Sequence, residues 1–292
     1  MDMVSTLAVI GTGIMGAPIA RNAEKAGFTV TAWNRSREKL AGFKATETPA
    51  EAAAGADATI LMLSDGPTCD HLLYEDGEHG PAVLSAMRPG SRLVVMSSIP
   101  VETARGQAER AQAVGIGYLD APVSGGEKGA IEATLAIMAG GTQSDFDAMA
   151  PVFRAMGRPT YVGPAGSGQL AKLANQMIVG NTIATVAEAL ILAAKGGADP
   201  AAVREALLGG FADSTILKLH GQRMVDGDWT PGGMSRYQLK DLRTAMGFAK
   251  SLGLDLPVTE LTTQLFEDTV AHGDSDKDHS AVYLELMRRN GA

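Results

Sequence analysis

Cysteine is almost missing from this chain: among 292 residues there is one, Cys69. A single thiol excludes an intrachain disulfide and a thiolate metal cluster, and it suits a reducing compartment. Basic charge is in deficit, since 25 lysines and arginines against 33 acids give a net charge of −8. That argues against a coat for nucleic acid or for an anionic membrane, while leaving room for a local basic pocket. The opening Met-Asp-Met-Val-Ser-Thr has no basic segment of the kind that starts a signal peptide. The longest apolar runs, such as 184–194 with Glu188 inside it, read as too short to span a bilayer. The expectation is a soluble cytoplasmic protein without nucleic-acid or membrane partners.

Glycine is abundant, with 35 residues, but it is dispersed along with the 13 prolines, so collagen-like and low-complexity classes fail. At 45% hydrophobic residues the chain can bury a full core. Short β-branched runs at 7–10, 28–33, 58–63, 92–96, 118–121, 135–139 and 160–162 alternate with amphipathic stretches such as 15–26. Such alternation predicts βαβ units and a mainly parallel sheet covered on both faces. After Gly163-Pro164-Ala165-Gly166 no convincing strand follows. One alanine-rich helix is expected over 169–195, then Asp199-Pro200 as N-cap and first helical residue, then helices over 235–252, 257–272 and 279–290. The expected architecture is an α/β Rossmann domain, 1–164, followed by an all-α domain, 165–292, for substrate and oligomer contacts.

Gly11-Thr12-Gly13-Ile14-Met15-Gly16 fits G-x-G-x-x-G, and it lies between a predicted strand and a predicted helix, as the motif requires. Gly11 permits the tight turn, Gly13 lets a pyrophosphate approach the backbone, and Gly16 lets the helix pack close. The pyrophosphate would rest on amides at the helix N-terminus. An NAD unit carries an acid about 20 residues further on, to bond the ribose hydroxyls. Here the second strand ends Trp33-Asn34-Arg35-Ser36-Arg37, with no acid. Asn34 does not repel a 2′-phosphate, Arg35 offers a planar fork of donors and Ser36 a hydroxyl. This points to NADP over NAD.

Two further segments suggest chemistry. Asp120-Ala121-Pro122-Val123-Ser124-Gly125-Gly126 follows a strand and exposes a hydroxyl and amides that suit a carboxylate, although such a loop alone is more often a plain turn. Lys172, Asn175 and Gln176 fall at i, i+3 and i+4, on one helix face among Leu170, Leu173 and Ala174. A lysine there can act as an acid or base if partly desolvated. By itself it reads more readily as a lysine whose stem covers an exposed stripe.

Together and in order, these segments resemble the β-hydroxyacid dehydrogenase family, which includes 3-hydroxyisobutyrate dehydrogenase, tartronate semialdehyde reductase and the glyoxylate/succinic semialdehyde reductases. The resemblance runs nearly end to end, through Met62-Leu63-Ser64, Ser97-Ser98 and Lys240-Asp241 as well. It implies an active site in a cleft between the two domains. It implies Lys172 as the catalytic residue, Ser124, Gly125 and Gly126 on the substrate carboxylate, and Asn175 or Gln176 orienting the substrate. Leu63, Ser64 and Ser98 would line the nicotinamide side. Lys240 would reach cofactor or substrate, positioned by Asp241. Where many relatives carry an aspartate before Met-Ser-Ser this chain has Val95, read as a strand end. The implied reaction interconverts a short 3-hydroxy acid and its semialdehyde, with hydride from the nicotinamide and a proton from Lys172.

The substrate reading is tartronate or succinic semialdehyde or glyoxylate, with 3-hydroxyisobutyrate second. The same fold also serves imine reductases, and a glycine loop can persist in a catalytically silent dinucleotide-binding protein. Lys172 and the Ser124–Gly126 loop count against the first, and Lys172, Asn175 and Lys240 kept together count against the second. Residues 211–219 and 229–237 are expected to build the substrate wall, with Ser214 and Arg236 as polar contacts. The small carboxylic-acid substrate is the expected partner, together with a second copy of the chain in a homodimer or homotetramer. No metal is expected: His71, His79, His220, His272 and His279 show no ligand spacing and read as surface or packing residues. Asp278-His279-Ser280 resembles the tail of the tartronate semialdehyde reductases, and Asp278 reads equally as an N-cap.

Overall fold

The computed structural model describes residues 4–291 and divides into two compact units between Lys172 and Leu173. The N-terminal unit holds one sheet built from β1 (Thr6–Ile10), β2 (Thr29–Trp33), β3 (Lys44–Ala45), β4 (Ala58–Leu61), β5 (Arg92–Val95), β6 (Gly117–Asp120), β7 (Val123–Ser124), β8 (Leu135–Gly141) and β9 (Gly157–Gly163). The strand order is β3-β2-β1-β4-β5-β6-β8-β7, with β9 paired to β8. The first six strands are parallel, as the sequence predicts. Their order is that of a doubly wound sheet whose switch point lies between β1 and β4, where ligands bind at the strands' carboxyl ends.

The strand sequences are apolar on both faces because both faces are covered. Leu7 and Val9 pack with Ile19 and Ala23 of helix Gly16–Lys25 and Phe153 of helix Gln143–Arg154. Ala8 and Ile10 pack on the opposite face with Leu72 and Leu73 of helix Gly66–Tyr74. Cys69 sits in that second layer, where burial pushes its thiol up to about 12, so it is a packing residue and no nucleophile.

The segment after Asp120 is strand-like rather than a free loop, which corrects the sequence-based expectation. Leu119 and Asp120 face Gly141 and Gly140, and Val123 and Ser124 face Ile137 and Ala136, in one unbroken antiparallel register. Met138 N donates to Pro122 O across the gap. Pro122 interrupts the ladder only because it has no N–H to give. Ser124 therefore stands at a strand end held by β8. Val95 is, as expected, the last residue of β5.

Among the described residues no strand follows Gly163. The long helix runs Ser167–Lys195, starting two residues before the expected position. An 18-residue window within its 29 residues has a mean hydropathy of 1.8, which makes it long and apolar enough to cross a membrane by length and composition. The run at 184–194 alone understates it, because the apolar residues from Met177 onward extend it and one charge, Glu188, does not offset them. In the C-terminal unit this helix places Ile183, Ala187 and Leu190 in a core with Leu217, Leu242, Phe266 and Val282. Those residues come from helices Thr215–Asp226, Ser235–Ser251, Pro257–Thr269 and Val282–Arg289. Asp199 caps helix Pro200–Leu207 by accepting from Ala201 N at 3.1 Å. The helix expected to reach 272 ends at Thr269. A wider turn over Val270–Asp274 replaces its last residues, with Gly273 at φ 89°.

Candidate active site

The glycine loop closes the carboxyl end of β1, at the switch point of the sheet. Gly11 has φ +100°, and a Cβ there would lie 2.3 Å from Met62 O, on the segment that leaves β4. A Cβ on Gly16 would lie 1.8 Å from Gly11 O, so the helix can start this close only as glycine. Gly13 differs, since a Cβ there meets nothing within 4 Å. Its backbone faces open space beside a helix whose N-cap, Met15, offers no side-chain cap. First-turn amides without a side-chain partner, next to a bare glycine, suit a pyrophosphate. The residues present thus fit a dinucleotide.

Around this loop the structure separates positioning residues from available ones. Thr12 is buried, its N donating to Asn34 Oδ1 at 3.0 Å and its hydroxyl to Lys39 O at 3.0 Å. Asn34 also donates to Ser36 O at 3.0 Å, so its amide braces the loop. Arg37 is engaged by Thr46 O and Glu47. Arg35 is exposed at the end of β2. Ile14 projects into solvent, 69% exposed. Beyond the ends of β4 and β5, Leu63 N donates to Ser97 Oγ at 2.7 Å, and Ser64 Oγ donates to Asp65 Oδ2 at 2.9 Å. Ser98 is half-buried beside Ser97.

The start of the long helix is anchored by Asp120, the first residue of the 120–126 segment, and by Gln169, which no sequence pattern singles out. Asp120 is fully buried and accepts from Gly166 N at 2.8 Å and Gln169 N at 2.7 Å. Gln169 in turn accepts from Ile99 N at 3.1 Å and donates to Ser97 O at 2.8 Å. A Cβ on Gly168 would fall 2.3 Å from Asp120 O, so this turn sits directly on β6. One turn further along, Lys172 Nζ donates to Val123 O at 2.9 Å. That carbonyl immediately precedes Ser124-Gly125-Gly126, where Gly125 at φ 141° and Gly126 at φ 61° turn the chain into helix Gly126–Ile131. The ammonium group and the exposed glycines of the strand end are therefore neighbours. An aspartate two residues before Pro122, at the head of the 120–126 segment, and a glutamine in a first helical turn are the sequence signals for Asp120 and Gln169.

Burial pushes Asp120 up to about 7, against the lowering effect of the Gly166 and Gln169 amides. A carboxyl whose folded value exceeds its unfolded value adds stability below about 4, and that contribution is lost as pH rises through about 7. The stability difference between the wild type and Asp120→Asn should therefore shift toward the variant between pH 4 and 7. Urea unfolding across that range tests this, and a difference independent of pH would contradict it.

In the C-terminal unit a second polar chain forms. Asn175 Nδ2 donates to Gln176 Oε1 at 2.8 Å, and Gln176 Nε2 donates to Asp241 Oδ2 at 2.6 Å. Lys240 Nζ lies 3.3 Å from Asp241 Oδ1, and Gln238 Nε2 donates to Gln176 O at 3.0 Å. Asp241 thus holds both Gln176 and Lys240, and Gln238 ties their two helices together. The expected wall residues have other partners. Ser214 caps helix Thr215–Asp226 through Leu217 N at 2.9 Å, and Arg236 pairs with Asp276.

Residues 6–165 match the model of the NAD binding domain of 6-phosphogluconate dehydrogenase. Residues 166–286 match that described as NAD-binding of NADP-dependent 3-hydroxyisobutyrate dehydrogenase. The chain is 44% identical over 289 residues to the 2-hydroxy-3-oxopropionate reductase of Escherichia coli (strain K12), covering 96% of this chain and 97% of that one. It is 34% identical over 289 residues to the 2-(hydroxymethyl)glutarate dehydrogenase of Eubacterium barkeri, covering 97% of this chain and 95% of that one. Among solved structures, Mycobacterium tuberculosis 3-hydroxyisobutyrate dehydrogenase with L-serine superposes with a TM-score of 0.88 at 31% identity, covering 97% of this chain and 99% of that one.

Proposed function

Since this chain belongs to the β-hydroxyacid dehydrogenase family of nicotinamide-dependent oxidoreductases, we propose that it interconverts a C2-substituted 3-hydroxypropionate and its semialdehyde, with NADP as cofactor. The observation that carries this reading is Lys172 Nζ at 2.9 Å from Val123 O, beside Ser124-Gly125-Gly126. A proton donor and a cradle for a carboxylate lie next to each other, as a 3-carbon hydroxy acid requires.

The names of the relatives support the substrate class. 2-Hydroxy-3-oxopropionate, 3-hydroxyisobutyrate and 2-(hydroxymethyl)glutarate share a carboxylate, a C2 substituent and an oxygen on C3. The bound nicotinamide supplies or accepts the hydride. Gly11, Gly13 and Gly16 admit the pyrophosphate, with Thr12, Ile14 and Met15 forming the rest of the loop. Leu63, Ser64 and Ser98 line the nicotinamide side. Ser124 and the Gly125 and Gly126 amides hold the carboxylate. In reduction Lys172 donates its proton to the carbonyl oxygen as alkoxide charge develops, and in oxidation it accepts the hydroxyl proton. Asn175 and Gln176 orient the substrate, and Asp241 holds Gln176 and Lys240 in place.

Arg35 carries the choice of NADP. It makes no hydrogen bond or ion pair with another described residue, and Asn34-Arg35-Ser36 contains no acid. Arg35→Ala is expected to weaken NADPH binding ~10–100-fold, the worth of a charge-assisted bond or two, and to leave NADH unchanged. Fluorescence titration reads both, and an unchanged NADPH affinity would contradict the assignment. For the substrate, glycerate, 3-hydroxyisobutyrate and 2-(hydroxymethyl)glutarate should be compared by kcat/KM in the oxidative direction. Turnover of at least one is expected, and the best identifies the C2 pocket. Activity on none of them would overturn the proposed class. Exposed Ile178 and Leu192, at 67% and 75%, suit a homodimer or homotetramer, against which sedimentation equilibrium showing a monomer would count.

A further inference from the structure

The fold brings together two histidines that are 59 residues apart and show no spacing signal. His220 lies on helix Thr215–Asp226, and His279 lies in the short turn His279–Ala281 before the last helix. Their Nε2 atoms face each other at 3.2 Å, with ring centroids 4.5 Å apart and planes at 79°. On the other side of the His220 ring, Nδ1 is buried and lies 3.3 Å from Asp278 Oδ1, without the alignment of a hydrogen bond.

Asp278 is itself fully buried and saturated. Its Oδ2 accepts from Gly232 N at 2.9 Å and Gly233 N at 3.2 Å. Its Oδ1 accepts from Ser280 N at 3.0 Å and Ser280 Oγ at 2.7 Å. With its lone pairs occupied, the carboxylate is not an available metal ligand. Its negative charge lies 3.3 Å from His220 Nδ1, while His220 Nε2, away from the carboxylate, meets His279 Nε2 at hydrogen-bond distance. Two imidazole nitrogens this close, with a buried carboxylate beside the ring of one of them, place two nitrogen donors within reach of one transition-metal ion. The 3.2 Å separation is close to the ~3.3 Å edge of a tetrahedron whose nitrogens lie ~2.05 Å from zinc.

We propose that His220 and His279 bind one divalent transition-metal cation of the zinc, cobalt or nickel class through their Nε2 atoms, with water completing the shell. Imidazole donors exclude magnesium and calcium as the preferred ions. The site joins elements far apart in sequence. Ser235 N donates to Lys277 O at 2.9 Å and Arg236 N to Ser275 O at 3.1 Å, so the segment before Asp278 is bonded to the first turn of helix Ser235–Ser251. A bound ion would fasten helix Thr215–Asp226 to the same segment, which makes the role structural. It is independent of the redox chemistry proposed above.

The test uses the full chain, freed of metal by a chelator and dialysed. Zinc or cobalt is then titrated, with magnesium as control. Expected are one zinc per chain by native mass spectrometry, a rise in thermal midpoint with zinc and none with magnesium. His220→Gln and His279→Gln should each weaken binding at least ~10-fold. In the wild type, ring-nitrogen NMR shifts of His220 and His279 should move on zinc addition, a readout that does not depend on a variant folding. Absence of stoichiometric zinc uptake, uptake unaffected by both substitutions, or unmoved ring nitrogens would each overturn the proposal.

Discussion

Lys172→Ala is expected to lower kcat for semialdehyde reduction by ~10²–10⁴-fold, the usual worth of a positioned general acid. Cofactor binding should be unchanged, because the glycine loop and Arg35 stand at the ends of β1 and β2, whereas Lys172 belongs to the long helix beside β7. The loss belongs to the chemical step, so KM should move much less than kcat. Lys172 Nζ is held on Val123 O at 2.9 Å, and its helix is anchored a turn earlier by Asp120 and Gln169. The geometry around an alanine should therefore survive. Lys172→Arg keeps the charge, but guanidinium is a poor proton donor and its length displaces the cradle, so rescue should be slight. Steady-state kinetics beside a cofactor fluorescence titration checks both. A variant that retains more than a tenth of wild-type kcat would remove Lys172 from the proton-transfer role.

Two substitutions in the glycine loop should have large and different effects. Gly16→Ala places a Cβ 1.8 Å from Gly11 O, against backbone that cannot swing aside. It should cost ~3 kcal/mol of stability by overpacking and cofactor affinity with it. Gly13→Ala places a Cβ where nothing lies within 4 Å, so stability should be nearly unchanged. Dinucleotide affinity should nevertheless fall ~10–100-fold, because the methyl displaces the pyrophosphate from charge-assisted amide bonds. Urea unfolding and fluorescence titration on the same samples separate the effects. Equal stability losses in the two variants, or unimpaired cofactor binding in Gly13→Ala, would contradict the cradle.

The alternation of strands and helices, the glycine loop and the all-helical C-terminal half are legible in the sequence because each rests on local pattern: β-branched runs, a motif with fixed offsets, and caps such as Asp199-Pro200. Lys172 gains weight only from the resemblance of the ordered segments, since its neighbours at i+3 and i+4 alone fit a lysine on an exposed stripe more readily. What is not legible depends on register and on distant partners. The strand Val123–Ser124 is recognisable only once β8 is alongside, since Pro122 breaks the pattern. Lys44–Ala45 is too short for periodicity to register. Asn34 reads as a contact for the cofactor, and nothing in the spacing shows that its amide also braces Thr12 and Ser36. Asp120 and Gln169 join segments 46 and 72 residues away, and His220 meets His279 across 59. Long-range polar pairs of this kind carry no local signature.

The most direct measurement is NADPH oxidation at ~340 nm with 2-hydroxy-3-oxopropionate, set beside the same assay with glycolaldehyde, which lacks the carboxylate. A nicotinamide-dependent reductase that holds a carboxylate at Ser124-Gly125-Gly126 should turn over the first, with kcat/KM at least ~100-fold above the second. Equal turnover of both would contradict the carboxylate cradle. No NADPH or NADH consumption with 2-hydroxy-3-oxopropionate or any other C2-substituted semialdehyde would contradict the account as a whole.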